Sequence, residues 1–244
     1  MKTLSVITVT YNAENTLPRT MKSVSEQTYD GIEHIIVDGR SKDGTVELIE
    51  QYDREGLTWI SEPDSGLYDA MNKGIDMAKG DYLCFLNAGD AFYSKDTVAN
   101  FMKQIDSEGI TPDIIYGETA IIDNNGKFLR MRRLKAPKRL SWKSFKNGMV
   151  VCHQAFIVNR RMVNHYDLKY RFSSDVDWCI RMMKQAEVIY NTNMILINYL
   201  SEGITTDNHK ASLKERYSIM VEHYGWASTF AHHLWFALRA IIKK

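Results

Sequence analysis

The amino-acid sequence predicts an α/β protein with a doubly wound, mostly parallel central sheet and helices on both of its faces. Two observations lead to this prediction. Five short apolar segments, rich in β-branched residues, alternate with four segments of helical spacing in the first 118 residues, and the links between them are short. Strand–helix repetition of this kind favours parallel strands joined by right-handed crossovers, with ligands at the carboxyl ends of the strands.

The predicted elements follow one another in a regular order. Apolar strand patterns cover the segments 4–11, 33–39, 57–62, 81–87 and 113–118. Helical spacing of apolar residues covers the segments 15–27, 43–54, 68–78 and 95–108. Pro18 falls in the first turn of the first helix, where proline is tolerated, and Ser94 is placed to cap the fourth.

The second half of the chain has a mixed pattern. A turn signal at 123–126 predicts a hairpin, and a basic segment follows it at 127–146. An apolar run at 150–158 predicts a further strand, and helical patterns begin at Asp175 and at about His209. We expect this half to add a mixed region and C-terminal helices to the parallel sheet.

The charges are unevenly distributed along the chain. The formal net charge of the 244 residues is +1, but residues 1–126 hold 10 Lys and Arg against 22 Asp and Glu. The basic segment 127–146 holds 9 Lys and Arg and no acid. Because the acidic half carries the predicted ligand edge and would repel a nucleic acid, we expect no nucleic-acid partner.

The cysteines and the two ends of the chain bear on its compartment. Three scattered cysteines without a C-x-x-C pair favour neither a disulfide framework nor a zinc site. The first residues open directly into a strand pattern, so no signal peptide is expected. The apolar stretch at 230–242 is interrupted by His and Arg and is too short to span a bilayer. We therefore expect a cytoplasmic protein.

Polar and acidic residues stand at the carboxyl ends of the first four predicted strands, in the segments 11–12, 38–39, 62–64 and 87–90. Asp and Asn also favour turns and helix caps, and at any single position that is the simpler interpretation. For four successive strands, a shared ligand site is the better explanation. No G-x-G-x-x-G or P-loop pattern is present in the sequence, which disfavours dinucleotide and P-loop sites.

Four stretches resemble the family 2 glycosyltransferases with the GT-A fold. They read SVITVTYN, IIVDGRSKDGT, SEPDSGLYDAMNKGI and AKGDYLCFLNAGD. The resemblance covers roughly residues 3–205 and is strongest over 3–90. It implies a GT-A domain over 1–208, divided into a nucleotide-sugar donor half (1–118) and an acceptor half (119–208), with a helical extension over 209–244.

The resemblance implies a nucleotide-sugar donor along the strand ends. Val9, Tyr11 and Asp38 would hold the base, and a carboxylate suits this task because it can accept the imide N–H of uracil. The block around residue 64 would line the diphosphate and the sugar. Its usual Arg-Asn pair is Met71-Asn72 here, so Lys73 either supplies the missing charge or pairs with Asp69 on the same helix face. The predicted donor-binding residues are Val9, Tyr11, Asn12, Asp38, Asp64, Gly66, Asp69, Asn72, Lys73, Asn87 and Ala88.

The segment 87–90 resembles the family's metal-binding signature in altered form. The common pattern is Asp-x-Asp-Asp, whereas this chain has Asn-Ala-Gly-Asp and keeps only the last acid. The resemblance implies that Asp90 touches a Mn²⁺ or Mg²⁺ ion, with diphosphate oxygens and waters as its other ligands. One acid in place of three predicts weak metal affinity without nucleotide. His209 follows a stretch that resembles a family loop over the donor phosphates, so it is a second candidate for the metal.

Two further matches concern the acceptor. VVCHQAFI resembles the segment that flanks the acceptor pocket, which implies acceptor contacts for His153 and Gln154. A histidine satisfied within a strand is the alternative for His153. FSSDVDWCIRMM resembles the family's Glu-Asp motif, whose Asp is the general base; Asp175 matches it and Ser174 replaces the Glu. Asp175 also stands where a helix N-cap is expected, which is the structural alternative.

The combined expectation is an inverting glycosyltransferase. It would move a sugar from a nucleotide-diphosphate donor, most simply a UDP-sugar, to a hydroxyl of a glycan or lipid-linked saccharide in bacterial cell-surface polysaccharide biosynthesis. The alternative is a nucleotide-sugar binding protein that has lost catalysis, since the acidic motif is depleted. A sugar-nucleotidyl transferase is disfavoured because the sequence has no Gly-rich N-terminal phosphate loop.

Two features predict contact with an anionic membrane. The segment 127–146 interleaves apolar residues, including Trp142 and Phe145, with its cations. The C-terminal pattern places large apolar residues four apart and ends in Arg239, Lys243 and Lys244; its apolar members are Trp226, Phe230, Leu234, Leu238 and Ile242. The alternative is a helix packed on the core beside a solvated basic face. We expect a peripheral protein at the inner face of the cell membrane, with a polyprenyl-diphosphate-linked saccharide or a glycan as acceptor.

Overall fold

The computed structural model describes residues 1–52, 55–201 and 209–242. The strands are β1 (Leu4–Thr10), β2 (Ile32–Asp38), β3 (Leu57–Ser61), β4 (Tyr82–Phe85), β5 (Ala91–Phe92), β6 (Ile114–Ile122), β7 (Phe128–Met131), β8 (Phe156–Asn159) and β9 (Ile189–Leu200). The helices are α1 (Leu17–Ser25), α2 (Thr45–Gln51), α3 (Leu67–Met77), α4 (Thr97–Ser107), α5 (Ser174–Gln185), α6 (His209–Tyr224) and α7 (Trp226–Ile242).

The strands form one sheet in the order β3-β2-β1-β4-β8-β6-β9-β5, with β7 paired to β6. The first four are parallel neighbours, as the strand–helix repetition predicts. β1 is buried along its whole length, which suits a β-branched run inside a parallel sheet with both faces covered. The second half is mixed, because β8 runs antiparallel to both β4 and β6, while β6 and β9 are parallel. The predicted α/β class is confirmed.

Helices cover both faces of the sheet, and β2 shows how. Successive side chains of a strand point to opposite faces. Ile35 and Val37 belong to the larger core cluster, which includes Met71 of α3. Ile36 lies between them in the chain and belongs to a second cluster, formed with Leu17, Met21 and Ile49 of α1 and α2. The predicted cover on both faces is therefore present around β2.

The structure differs from the predicted elements in the second half. The segment predicted as a strand at 150–158 is a strand only at Phe156–Asn159, and a short 3₁₀ turn occupies His153–Ala155. β9 has no counterpart among the predicted strands. Its apolar pattern is interrupted by polar residues, and Asn193 has a φ of 54° close to the point where the register against β6 shifts.

α6 is fixed to α5 by buried polar contacts. The Asp177 carboxylate accepts a hydrogen bond from Arg181 Nε at 2.7 Å and pairs with His223 Nε2 of α6 at 2.7 Å. The hydroxyls of Ser173 and Ser212 are 3.0 Å apart at the other end of this contact. These contacts place one face of α6 against the first turn of α5.

The basic segment does not present its aromatic side chains in the way the sequence predicts. Phe145 is buried in the core, and Trp142 stacks on Tyr224 with ring centroids 5.5 Å apart. The exposed apolar residues of this segment are instead Phe128 and Leu129 of β7, at 55% and 50% exposure. Among the described helices, none is long and apolar enough to cross a bilayer.

Candidate active site

The carboxyl ends of β1, β2 and β3 lie side by side, because Thr10 is paired with Asp38 and Asp38 with Ser61. Asp38 is fully buried at this edge. Its Oδ2 accepts hydrogen bonds from the Ser41 N–H at 2.9 Å and the Ser61 hydroxyl at 2.7 Å, and its Oδ1 accepts one from the Ser41 hydroxyl. The loop after β2 and the end of β3 therefore hold this carboxylate in place.

The other two predicted base-binding residues, Val9 and Tyr11, and the predicted donor residue Asn12 differ in burial and contacts. Val9 is buried in β1, and Tyr11 is 58% exposed just beyond it. Asn12 has a φ of 49°, and its Oδ1 accepts the Lys42 N–H at 2.8 Å. The side chain of Asn12 thus joins the loop after β1 to the loop after β2. The ring of Tyr11 is exposed at the carboxyl end of β1.

The turn before α3, around Asp64, approaches the loop after β2 closely. Asp64 Oδ1 accepts the Gly66 N–H at 2.9 Å. A Cβ added to Gly39 would collide with Asp64 Oδ2, so these two loops approach each other closely. Gly66 has a φ of 130° and open space around the position of its missing side chain. This turn leaves room for a ligand against the backbone.

Asp69 and Lys73 each have a different partner. Asp69 Oδ2 accepts the Ser65 N–H at 2.9 Å, and this hydrogen bond is the main reason that the pKa of Asp69 is lowered. Lys73 Nζ lies 2.8 Å from Glu62 Oε1 and donates to the Pro63 carbonyl at 2.7 Å. The charge of Lys73 also lowers the pKa of Asp69, although the ammonium pairs directly with Glu62. A contact of Lys73 with the diphosphate stays a prediction.

Asn72 holds another loop of the protein. Its Oδ1 accepts the Tyr166 N–H at 2.7 Å, and its Nδ2 donates to the Tyr166 carbonyl at 3.1 Å. Both groups of the amide are therefore engaged with one residue of the acceptor half. In this structure Asn72 positions Tyr166, and a donor contact by Asn72 stays a prediction.

A buried threonine organises the segment 87–90. Thr20 of α1 donates its hydroxyl to the Asp90 carbonyl at 2.7 Å and accepts the Gly89 N–H at 2.9 Å. The same oxygen lies 3.2 Å from the Asn87 carbonyl, and Ala88 packs against the second core cluster. Sequence reasoning missed Thr20, because a threonine inside a helical pattern gives no signal of such a role.

The Asp90 carboxylate is buried and accepts two hydrogen bonds. Leu200 N–H donates to Oδ1 at 2.9 Å, and Gln154 Nε2 donates to Oδ2 at 2.9 Å. Burial raises the pKa of Asp90 to about 7, against the opposing effect of these two donors. No ion pair to Asp90 and no group of three metal-binding side chains occurs in the described part of the chain.

The two predicted acceptor residues are both buried. Gln154 accepts the Cys152 thiol at 2.9 Å in addition to its bond to Asp90, so its amide lies behind the predicted metal ligand. His153 Nε2 is 2.7 Å from the Tyr166 hydroxyl, and its ring stacks on Phe85. Burial lowers the pKa of His153, which favours the neutral imidazole. Both residues support neighbours, and acceptor contacts remain predictions.

Asp175 is not the N-cap that the sequence offered as its structural alternative. The N-cap of α5 is Ser173, and Asp175 is the second residue of the helix. Its Oδ1 accepts a hydrogen bond from the hydroxyl of Tyr68 at 3.0 Å. Tyr68 is the second residue of α3, directly after the turn at Gly66. The predicted base therefore lies beside the predicted donor block, although 107 residues separate the two in sequence.

One predicted metal ligand lies at the border of the described residues. His209 begins α6, but its side chain falls outside the described part of the chain. Its predicted contact with the metal or the phosphates is therefore not described by this structure.

Comparison with known proteins identifies relatives of the chain. The family model described as Glycosyl transferase family 2 matches residues 5–166. An uncharacterized glycosyltransferase of Mycobacterium tuberculosis is 36% identical over 208 residues, which cover 83% of this chain and 76% of that protein. A PGL/p-HBAD biosynthesis glycosyltransferase of the same species is 32% identical over 194 residues (76% and 71%). The amylovoran biosynthesis glycosyltransferase AmsB of Erwinia amylovora is 28% identical over 245 residues (94% and 78%).

Solved structures share the fold. TarS of S. aureus matches with a TM-score of 0.72 and 16% identity over 96% of this chain and 72% of that one. Its complex with UDP-GlcNAc matches with a TM-score of 0.71 and 18% identity over 89% and 64%. The mannosyltransferase PcManGT from Pyrobaculum calidifontis, in complex with GDP-Man and Mn²⁺, matches with a TM-score of 0.61 and 18% identity over 91% and 63%. These neighbours confirm the predicted GT-A fold.

The family model covers more than half of the chain, and the first of these relatives exceeds 30% identity over most of it. The chain belongs to glycosyl transferase family 2.

Proposed function

We propose that the chain is an inverting, metal-dependent glycosyltransferase that moves a sugar from a UDP-sugar to a hydroxyl of a glycan or lipid-linked saccharide. The observation that carries the proposal is the position of Asp175 beside the start of α3. This carboxylate binds the hydroxyl of Tyr68, two residues after Gly66, where the backbone leaves room for a ligand. A base and a donor platform within one site are what transfer to a hydroxyl requires.

The donor proposal is supported by the strand ends and by the neighbours. Asp38 is fixed at the edge by Ser41 and Ser61, and the donor proposal assigns a remaining lone pair of its carboxylate to the N–H of the base. Two of the solved neighbours bind nucleotide sugars, one UDP-GlcNAc and the other GDP-Man. Two of the curated relatives are named for PGL/p-HBAD and amylovoran biosynthesis, which supports a glycan or glycolipid product for this chain.

A divalent metal fits the residues of the segment 87–90. Asp90 is a buried carboxylate with a raised pKa of about 7, a state that a bound cation would relieve. Asn87 Oδ1, three residues earlier, is buried and has no hydrogen-bond partner among the described residues. Hard oxygen ligands of this kind suit Mn²⁺ or Mg²⁺, with diphosphate and water oxygens completing the shell. Bound there, the ion would neutralise the charge that develops on the leaving diphosphate.

The chain's own residues supply the rest of the proposed mechanism. The acceptor oxygen attacks the anomeric carbon from the face opposite the diphosphate, and its proton passes to Asp175. As the new C–O bond forms, the bond to the UDP oxygen breaks and its electron pair leaves with UDP. Attack from the opposite face inverts the anomeric configuration. Asp38, Asp64 and the turn at Gly66 hold the donor still during this step.

We also propose a peripheral location at the inner face of the membrane. Trp226, Phe230 and Leu234, here called the α7 stripe, lie four residues apart and are 63%, 51% and 52% exposed. Tyr224, just before α7, donates its hydroxyl to Trp142 O at 2.5 Å, and Lys146 lies 5.4 Å from the Tyr224 ring. Exposed apolar side chains beside cations suit an anionic lipid surface. The predicted members Leu238 and Ile242 have side chains outside the described residues.

The transferase and the alternative, a nucleotide-sugar binding protein, are separated by donor hydrolysis. Transferases can pass the sugar slowly to water, so we expect release of UDP or GDP from at least one of UDP-GlcNAc, UDP-Glc, UDP-Gal and GDP-Man with Mn²⁺ present. The release should fall strongly in Asp38→Ala, which removes the acceptor for the base. Calorimetric binding of a nucleotide sugar without any release would instead establish the binding protein.

A further inference from the structure

In the hydrogen bond between Tyr68 and Asp175, Tyr68 is the donor and Asp175 is the acceptor. The Tyr68 ring is buried, with 5% exposure, and its hydroxyl lies 3.0 Å from Asp175 Oδ1. Burial, and then the charge of Asp175, hold the pKa of Tyr68 well above its ordinary value of 10. The phenol therefore stays protonated, and it donates its hydrogen to the carboxylate.

A frame of neighbouring side chains fixes the Tyr68 ring. Tyr166 stacks on it with ring centroids 5.4 Å apart and an interplanar angle of 28°. Asn72 lies one turn beyond Tyr68 on α3 and binds the Tyr166 backbone through both of its amide groups. The Tyr166 hydroxyl in turn lies 2.7 Å from His153 Nε2. Two residues predicted to bind substrates, Asn72 and His153, thus hold the ring against which Tyr68 packs.

The hydrogen bond from Tyr68 occupies one oxygen of Asp175. Among the described residues, no hydrogen bond reaches the other oxygen, Oδ2. Asp175 is partly exposed, whereas Ser174 and Val176 on either side of it are buried. A carboxylate fixed at one oxygen, on a partly exposed residue, keeps its other oxygen available to receive a proton.

We propose that Tyr68 is the positioning residue of the general base: it binds Asp175 Oδ1, fixes the carboxylate, and reserves Oδ2 for the proton of the acceptor hydroxyl. This inference rests on the proposed function, in which Asp175 is the base. It also links the two halves of the site, because Tyr68 follows directly on the donor turn at Gly66. In this role Tyr68 acts through Asp175.

The test is Tyr68→Phe, which removes the hydroxyl and keeps the stacked ring. The readouts are kcat and KM for Mn²⁺-supported hydrolysis of the UDP-sugar that the native enzyme cleaves fastest, together with calorimetric UDP affinity. We expect kcat to fall by about 10- to 100-fold, which is at most the lower limit of the roughly 10²–10⁴-fold worth of a whole base. KM and UDP affinity should change less than about twofold, because the substitution leaves the residues that bind the donor unchanged.

A matched control is Tyr82→Phe. Tyr82 lies in β4, which neighbours β1, and is also buried. Its hydroxyl donates to the Pro112 carbonyl at 3.1 Å. This variant removes a phenol hydroxyl of the same kind without touching Asp175, and kcat should stay close to native. Equal losses of kcat in both variants would mean that any buried phenol hydroxyl matters, which would overturn the positioning role.

The double variant decides whether Tyr68 acts through the base. In an Asp175→Asn background, Tyr68→Phe should lower kcat by less than about twofold, because coupled residues are not additive. A full additional loss in that background, or a single variant with native kcat, refutes the proposal. A native enzyme that hydrolyses no nucleotide sugar would refute the proposed function itself, and that result is known before any variant is compared.

Discussion

Asp90 accepts one hydrogen bond at each of its oxygens, from Leu200 and Gln154, and burial raises its pKa to about 7. Gln154 is itself held by Cys152, and Thr20 holds the Asp90 backbone. Two donors thus fix the carboxylate, and Thr20 fixes the backbone of the same residue. A side chain fixed in this way binds a cation without reorganising, so small changes at Asp90 should appear first in the metal dependence of UDP binding.

We expect Mn²⁺ to strengthen UDP binding in the native protein and hardly at all in Asp90→Ala, because the variant lacks the carboxylate ligand. The measurement is calorimetric titration of UDP with Mn²⁺ and with EDTA. Asp30→Ala is the control, since Asp30 is an exposed acid of the same type. Equal metal dependence in native protein and Asp90→Ala would show that the ion is held elsewhere.

At the scale of elements, the contact between α5 and α6 depends on Asp177. The carboxylate is 3% exposed and is bonded to Arg181 and His223. Burial alone would raise the pKa of Asp177, but the hydrogen bonds from His223 and Arg181 outweigh it and lower the pKa. Asp177 therefore stabilises the contact between α5 and α6, although it lies in the same helical turn as Asp175.

Asp177→Asn should lower the free energy of unfolding by roughly 3 kcal/mol at pH 7, because it leaves Arg181 and His223 without their buried partner. Since the folded-state pKa is lowered, the stabilisation is present above the unfolded value of about 4 and is lost as the pH falls through the folded pKa. Urea unfolding of native protein and variant at pH 7 and about pH 3 measures this. A difference in stability that does not shrink at acid pH would contradict the assignment.

The helix–strand repetition of the first half could be predicted because each signal is local. β1 to β4 are runs of apolar residues, and the polar residues that end them meet by the geometry of a parallel sheet. The antiparallel entry of β8 between β4 and β6 depends on pairing between distant segments, which no local period records. β9 carries polar residues and a left-handed Asn193, so its pattern resembles a loop.

The candidate site shows the same difference between local signals, which the sequence reveals, and contacts between distant segments, which it does not. Asp38, Asp64 and Asp90 stand at strand ends and could be found from the sequence. The partners that orient the functional groups could not, because the Tyr68–Asp175 contact joins residues 107 positions apart and the Gln154–Asp90 contact joins residues 64 apart. Asn72 and His153 carry residue types that suit ligand binding, yet here both hold Tyr166.

At the scale of the whole molecule, the charge distribution and the α7 stripe predict how the protein meets a membrane. Native protein should float with vesicles of phosphatidylcholine and phosphatidylglycerol at low salt, and less so as salt screens the cations. The double variant Trp226→Ala, Phe230→Ala should float less. Leu168→Ala, which removes a side chain that is 52% exposed outside the stripe, should float as native protein does. Absence of native flotation at low salt would refute the membrane proposal.

The central claim is that Asp175 is the base of a sugar transferase. The most direct measurement is the turnover of Asp175→Asn in nucleotide-sugar hydrolysis, beside its melting temperature and UDP affinity. Asn keeps the shape of the side chain and can still accept the Tyr68 hydrogen bond, so the melting temperature and the UDP affinity should stay close to native. Turnover should fall by roughly 10²–10⁴-fold, because an amide cannot take the proton. A variant that keeps more than about a tenth of native turnover would contradict the assignment of Asp175 as the base.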